Sequence, residues 1–144
     1  KKRNERRDNR RKKLEDIDLC GKKILLVEDN ELNCEIAHDL LTLTKAQVIV
    51  ANNGEEAVKI FKNSKIGEIN LILMDIQMPI MDGYMATKVI RELEREDSKN
   101  IEIIAMSANT FLDDIQKAKN CGMNDHIPKP IDIKKLMNIL KKYN

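Results

Sequence analysis

The chain has 144 residues, enough for one ordinary domain with a core of its own. Hydrophobic residues make up 42% and charged residues 35%, which excludes a wholly disordered chain. No apolar run approaches the roughly 18 residues of a membrane span. The net charge of +2 hides an asymmetry: residues 1–13 hold 9 of the 26 basic and 2 of the 24 acidic residues, so the remainder is acidic.

Residues 1–20 have few apolar side chains and read as a basic linker or arm, with the folded domain expected over 21–144. From Lys23 on, short apolar runs alternate with helix-period segments. The runs are Ile24–Val27, Val48–Ala51, Leu71–Met74 and Ile103–Met106, with a weaker one around His126-Ile127. Runs this short and rich in Ile, Leu and Val predict strands buried on both faces. The first helix has Leu32, Ile36, Leu40 and Leu43 on one face, beside Ala37 and Leu41. The second has Ala57, Val58 and Phe61, and the third Met85, Ala86, Val89, Ile90 and Leu93. The fourth has Leu112, Ile115 and Ala118, and the fifth Ile133, Leu136, Met137 and Leu140. Asn30, Asn53, Asp82 and Asn109 or Thr110 are placed to cap helix starts, and Gly122 to end the fourth helix. Strand starts recur every 23 to 31 residues, the βα repeat of a doubly wound parallel sheet.

In such a sheet, chemistry collects beyond the carboxyl ends of the strands. The first run is followed by Glu28 and Asp29, the third ends at Asp75, the fourth at Ser107, and the fifth leads into Lys129. With strand order 2-1-3-4-5, the three carboxylates become neighbours. Their mutual repulsion calls for a cation, and oxygen-only ligands favour Mg²⁺. A divalent ion, a lysine and a hydroxyl make a cradle for a phosphoryl group, with Lys129 adding its charge on the far side. No GxxxxGK[ST] or GxGxxG loop supports nucleotide binding, and no serine or cysteine nucleophile is paired with a histidine base. The remaining nucleophile is the Asp75 carboxylate, which would become an acyl phosphate. Singly, each residue has an ordinary use: Asp29 beside Asn30 as a helix cap, Ser107 in a turn, Lys129 on the surface. Their shared edge favours a site.

The strings ILLVEDNELN (24–33), NGEEAVKIF (53–61), LILMDIQMPIMDGYMAT (71–87), IIAMSAN (103–109) and GMNDHIPKPI (122–131) resemble the response-regulator receiver domain of two-component signalling. They are most similar to receivers attached to hybrid histidine kinases. The resemblance covers about residues 23–143 and implies a flavodoxin-like α/β fold. It implies Asp75 as phosphoacceptor, and Glu28, Asp29, Asp75 and the Gln77 main-chain carbonyl as Mg²⁺ ligands, with Mn²⁺ an expected substitute. Ser107 and the Ala108 amide would bind the phosphoryl oxygens, and Lys129 would pair with the phosphate. A cis bond before Pro130 would hold that loop. Gln77 and Asn109 would flank attacking water and tune acyl-phosphate lifetime.

Two positions depart from the family. Glu28 replaces the commoner aspartate. His126 stands where Tyr or Phe is usual; it either makes a phosphate-driven switch pH-sensitive or simply fills the aromatic slot.

The implied partner is a histidine kinase or histidine phosphotransfer domain. The resemblance implies a signalling domain that promotes its own phosphorylation and dephosphorylation rather than a turnover enzyme. A cytoplasmic, monomeric domain is expected, the C-terminal part of a hybrid sensor kinase that can be tethered to a membrane through an upstream sensor. The widely spaced Cys20, Cys34 and Cys121 match no zinc or CxxC pattern and suit a reducing cytosol.

A stand-alone regulator acting by protein binding is the alternative. Nine cations on the arm raise nucleic-acid binding as a third reading. With no tryptophan and four other aromatics there is little to stack on bases, so nucleic acid is not expected. An aspartate-nucleophile phosphatase would need a second acid two residues after the nucleophile, where this chain has Gln77.

Overall fold

The computed structural model describes residues 13–108 and 112–144. Five parallel strands form one sheet in the order β2-β1-β3-β4-β5. They are β1 (Lys23–Val27), β2 (Gln47–Ala51), β3 (Leu71–Asp75), β4 (Glu102–Ser107) and β5 (Asp125–Pro128). Alternating with them are α1 (Glu31–Thr42), α2 (Gly54–Asn63), α3 (Gly83–Glu92), α4 (Leu112–Cys121) and α5 (Ile133–Leu140). This is the expected architecture.

Because side chains alternate across a strand, each apolar run feeds two cores. Ile24, Leu26, Leu71, Leu73, Ile104 and Met106 pack under α1 and α5, where Ala37, Leu41, Leu136 and Leu140 meet them. Leu25, Val27, Ile72, Met74, Ile103 and Ala105 pack under α2, α3 and α4, with Ala57, Phe61, Ala86, Ile90 and Ala118. Strand β3 is buried along its whole length. Strand β2 is not: it lies at the sheet edge, and only Ala51 is fully buried. A continuous apolar run cannot distinguish an edge strand from a central one.

Asn30, Asn53 and Asp82 cap α1, α2 and α3, each accepting from the amide three residues on. Asp132 caps α5 in the same way. Gly122 ends α4 with φ +113°. The alternative caps Asn109 and Thr110 lie outside the described residues.

Three helix stripes are rotated from their expected orientation. On α1 the buried residues are Ala37, Leu40 and Leu41, while Leu32 is 65% exposed and Ile36 also faces outward. Met85 on α3 and Leu112 on α4 are exposed too. The small residues Ala37 and Ala86 are turned inward on α1 and α3 instead.

Leu14, Ile17 and Leu19, placed in the arm on sequence grounds, are buried in the α1–α5 layer. The Leu19 amide donates to the Thr44 carbonyl (2.7 Å) and the Asp18 amide to Asn144 Oδ1 (3.0 Å). Most of the basic stretch, residues 1–12, lies outside the described residues.

Candidate functional site

The crossover at β1–β3 opens the sheet's carboxyl edge, and the polar residues gather there. Backbone bonds lace the strand ends together. The Glu28 amide donates to Ala51, the Ile76 amide to Met106 and the Lys129 amide to Ser107, at 3.0, 3.2 and 3.0 Å. Asp75 ends β3 and is 5% exposed. Glu28, one residue past β1, is buried as well, while Asp29 is exposed. Asn30, not Asp29, accepts the α1 capping bond (2.9 Å), so Asp29 is left for the cleft.

Lys129 does not stand on the far side. Its Nζ lies 3.0 and 2.9 Å from the two Glu28 carboxylate oxygens and 3.0 Å from Asp75 Oδ1. Burial alone would lower this ammonium, but the hydrogen bonds and charges of Glu28 and Asp75 hold it above its ordinary value. Burial pushes Asp75 up to about 6, assisted by a hydrogen bond and charge repulsion from Glu28 and opposed by Lys129. One lysine therefore only partly compensates two buried acids. The Lys129–Pro130 peptide bond is cis.

Carboxylate oxygens of Glu28, Asp29 and Asp75, one from each, lie within 4.8 Å of one another. Three hard oxygen donors with incompletely balanced negative charge fit a divalent ion such as Mg²⁺, and lack the soft ligands that zinc or copper sites use. A cleft of about 600 Å³ opens beside them, lined by Asp29, Gln77, Asp82 and Ser107. Ser107 is buried at the end of β4 and Ala108 follows it, exposed. Asn109 lies outside the described residues.

The same cleft takes in three residues that sequence reasoning missed: Tyr84, Asp114 and Lys117. Lys117 Nζ sits 4.6 Å from the centre of the Tyr84 ring. Asp114 and Lys117 are three residues apart on α4 and so share a face, the one signal that could have found them.

His126 is 7% exposed and is not among the residues lining the cleft. It lines a separate pocket of about 140 Å³ with Ile115, Met123, Asp125 and Lys135. Its Nε2 has no hydrogen-bond partner among the described residues. Burial, then the charge of Lys135, holds the imidazole below its ordinary value against the pull of Asp125. That environment suits a neutral ring in an aromatic slot.

Comparison with known proteins places this arrangement. Hybrid signal transduction histidine kinase B of Dictyostelium discoideum is 44% identical over 133 residues, covering 84% of this chain and 6% of that protein. Histidine kinase 5 of Arabidopsis thaliana is 32% identical, covering 84% of this chain and 15% of that protein. The chain thus spans a small part of these relatives.

Among solved structures, the receiver domain of sensor histidine kinase PA1611 from Pseudomonas aeruginosa PAO1, with a magnesium ion coordinated in its active site cleft, is similar at 34% identity. Its TM-score is 0.76 over 86% of this chain and 98% of that one. The receiver domain of Ssk1, crystallised with the histidine phosphotransfer protein Ypd1 of Saccharomyces cerevisiae, is similar at 32% identity and TM-score 0.77, covering 86% of this chain and 89% of that one. The response regulator receiver domain model matches residues 24–141, a span that holds all five strands from Ile24 on and every carboxylate of the cluster, so the chain belongs to the response regulator receiver domain family.

Proposed function

We propose that this chain is a phosphoacceptor receiver that takes a phosphoryl group onto Asp75 from a phosphohistidine, as the receiver part of a hybrid histidine kinase. The observation that carries the reading is the pairing of two buried acids, Glu28 and Asp75, with the single ammonium of Lys129 beside exposed Asp29. An acid cluster this under-compensated has use for a cation and for a reaction that redistributes its charge.

In the step itself, an Asp75 carboxylate oxygen forms a bond to phosphorus as the phosphorus–nitrogen bond of the donor breaks. The donor imidazole leaves and takes up a proton. Lys129 moves its ammonium from Asp75 to a phosphoryl oxygen, and Ser107 and the Ala108 amide donate to the others. Mg²⁺, held by Asp29 and Asp75 with help from Glu28 and the Gln77 carbonyl, would offset repulsion between the carboxylate and the incoming group. Gln77 is exposed in the cleft, where it can meet attacking water. Each domain accepts one phosphoryl group and is spent until the group is passed on or hydrolysed, so it is not a turnover enzyme.

The Ssk1 receiver pairs with a phosphotransfer protein, and we extend that partner class to this chain. Helix α1 offers an apolar face for it. Leu32 and Ile36 are exposed, and Ile36 lines a small cavity of about 60 Å³ with Pro130 and Ile131 next to Lys129.

The test is intact-mass spectrometry after incubation with acetyl phosphate and Mg²⁺. The expected result is a gain of one phosphoryl group, about 80 Da, that does not form when a chelator is present from the start or in Asp75→Asn. An adduct that persists in Asp75→Asn would overturn the assignment.

A further inference from the structure

The cleft beside Asp75 is acidic. Asp29, Asp82 and Asp114 line it, and Lys117 is the one cation among the described residues that do. Carboxylates so placed, one of them three residues before Lys117 on α4, are ordinary partners for an ammonium. Lys117 takes none of them. Among the described residues its Nζ has no carboxylate within ion-pair distance, and it sits instead 4.6 Å from the centre of the Tyr84 ring. Asp82 is engaged elsewhere, accepting from the Met85 amide (2.8 Å) as the cap of α3. Tyr84 is half-buried at the start of α3, and its hydroxyl donates to the Asp114 carbonyl in a long bond of 3.5 Å.

The helix gives that ammonium a direction. Side chains on a helix lean toward its N-terminus. Helix α4 begins shortly after β4, at the carboxyl edge of the sheet, so the Lys117 stem runs back toward the rim. Ser107 ends β4 and Asp29 follows β1, the two strands beside β3, and both share the cleft with Lys117. A phosphoryl group on Asp75 brings about two negative charges into the space that Lys117 faces. An ammonium on an exposed aromatic face is weakly held, and a nearby dianion attracts it more strongly.

We propose that Lys117 sets the lifetime of the acyl phosphate, resting on Tyr84 while Asp75 is unmodified and moving to the phosphoryl oxygens once the group is bound; the proposal rests on the phosphoacceptor reading above. Hydrolysis needs a water oxygen to attack phosphorus in line, from the open side of the cleft, as the bond between phosphorus and the Asp75 oxygen breaks. Asp75 leaves as a carboxylate, the water gives its proton to solvent, and inorganic phosphate departs. An ammonium on the phosphoryl oxygens stands in the path of that water. It also stabilises the bound dianion more than the loose transition state, in which charge has moved onto the leaving carboxylate. Lys117 therefore slows hydrolysis, and Tyr84 limits the effect by competing for the ammonium.

The experiment follows decay of the adduct. Wild type, Lys117→Met, Lys117→Arg, Tyr84→Leu and the double variant Lys117→Met with Tyr84→Leu are phosphorylated with acetyl phosphate and Mg²⁺. Each is then freed of donor, followed by intact mass, and melted to confirm that it is folded. The expected result is decay about three- to tenfold faster in Lys117→Met and within about twofold of wild type in Lys117→Arg. Tyr84→Leu decays about two- to threefold more slowly, and the same change has no effect once Lys117 is gone. The opposite signs separate this role from a structural one, because a loosened cleft speeds decay in both single variants. Equal lifetimes in wild type and Lys117→Met overturn the proposal. So does faster decay in Tyr84→Leu, or a Tyr84 effect that persists without Lys117. Wild type that forms no adduct overturns the phosphoacceptor reading and this proposal with it, whereas an adduct indifferent to Lys117 overturns this proposal alone.

Discussion

A histidine in place of an aromatic changes more than shape. His126 is buried and its Nε2 lacks a partner among the described residues, a cost of about 1–3 kcal/mol for an orphaned polar atom. Burial, then Lys135, holds the folded imidazole below its ordinary value, so below about pH 6.5 the unfolded chain binds the proton more readily than the folded one. Stability contributed by the neutral ring is present above that pH and is lost as the pH falls toward the folded value. Phenylalanine neither titrates nor leaves an orphan. His126→Phe is expected to be more stable than wild type at pH 7.5, with the gap widening at pH 5.5. Urea unfolding at the two values checks it, and a gap that stays constant rules out the titration. The sequence offered two roles for this residue. Its burial, and its place in a pocket with Ile115 and Met123 rather than in the cleft, suit the slot-filling one.

At the scale of elements, the segment before β1 belongs to the body. Its Leu14, Ile17 and Leu19 are each almost fully buried against the α1–α5 layer, and Asp18 and Leu19 bond to the chain at Asn144 and Thr44. Burying a leucine or isoleucine contributes about 1.5–3 kcal/mol. A protein starting at Gly21 is therefore expected to lose about 3 kcal/mol or more relative to one starting at Lys13. Denaturant melts of the two would show it, and equal midpoints would mean that the segment only rests on the surface.

At the opposite end of the sheet from the site, arginines do comparable work. Arg91 donates to the carbonyls of Ser98, Ile101 and Gly122, and Arg95 to those of Phe61, Lys62 and Ser64. Arg95 also stacks 4.5 Å from the centre of the Phe61 ring. These bonds serve the carbonyls of helix ends and loops, that of Phe61 beside the Ser64 amide, which also donates to it. Neither arginine carries a sequence signal, because what it bonds is brought near only by folding.

For the molecule as a whole, the acid cluster sets stability against function. Burial, with Glu28 nearby, raises Asp75 to about 6, so the folded form binds a proton more tightly than the unfolded chain. Between about pH 4 and 6 stability therefore falls as pH rises, and above that range the full cost of the buried charge is present. Asp75→Asn removes the charge. In metal-free buffer at pH 8 the variant is expected to melt higher than wild type, and the difference shrinks toward pH 5, where wild type is protonated. Adding Mg²⁺ at pH 8 raises wild type far more than the variant, because a ligand bound only to the folded form stabilises it by mass action. Calorimetry across pH, with and without Mg²⁺, measures both effects. A variant that melts no higher than wild type at pH 8 would contradict the cluster's electrostatics.

The sequence by itself determined the repeat of strands and helices, the caps at Asn30, Asn53 and Asp82, and the roll of polar residues after four of the five strands. These depend on local patterning: two-faced burial makes short apolar runs, and an amide without a helical partner wants an oxygen three residues back. Only the tertiary structure decided which helix face turns inward, that β2 stays half exposed at the edge, and that Leu14 to Leu19 join the core. Those outcomes depend on how closely elements approach, which spacing alone does not encode. It also brought Lys129 between Glu28 and Asp75, about a hundred residues away from the first of them along the chain, and set Lys117 against the Tyr84 ring beside the cleft. Contacts of that kind exist only between parts of a chain that folding has brought together.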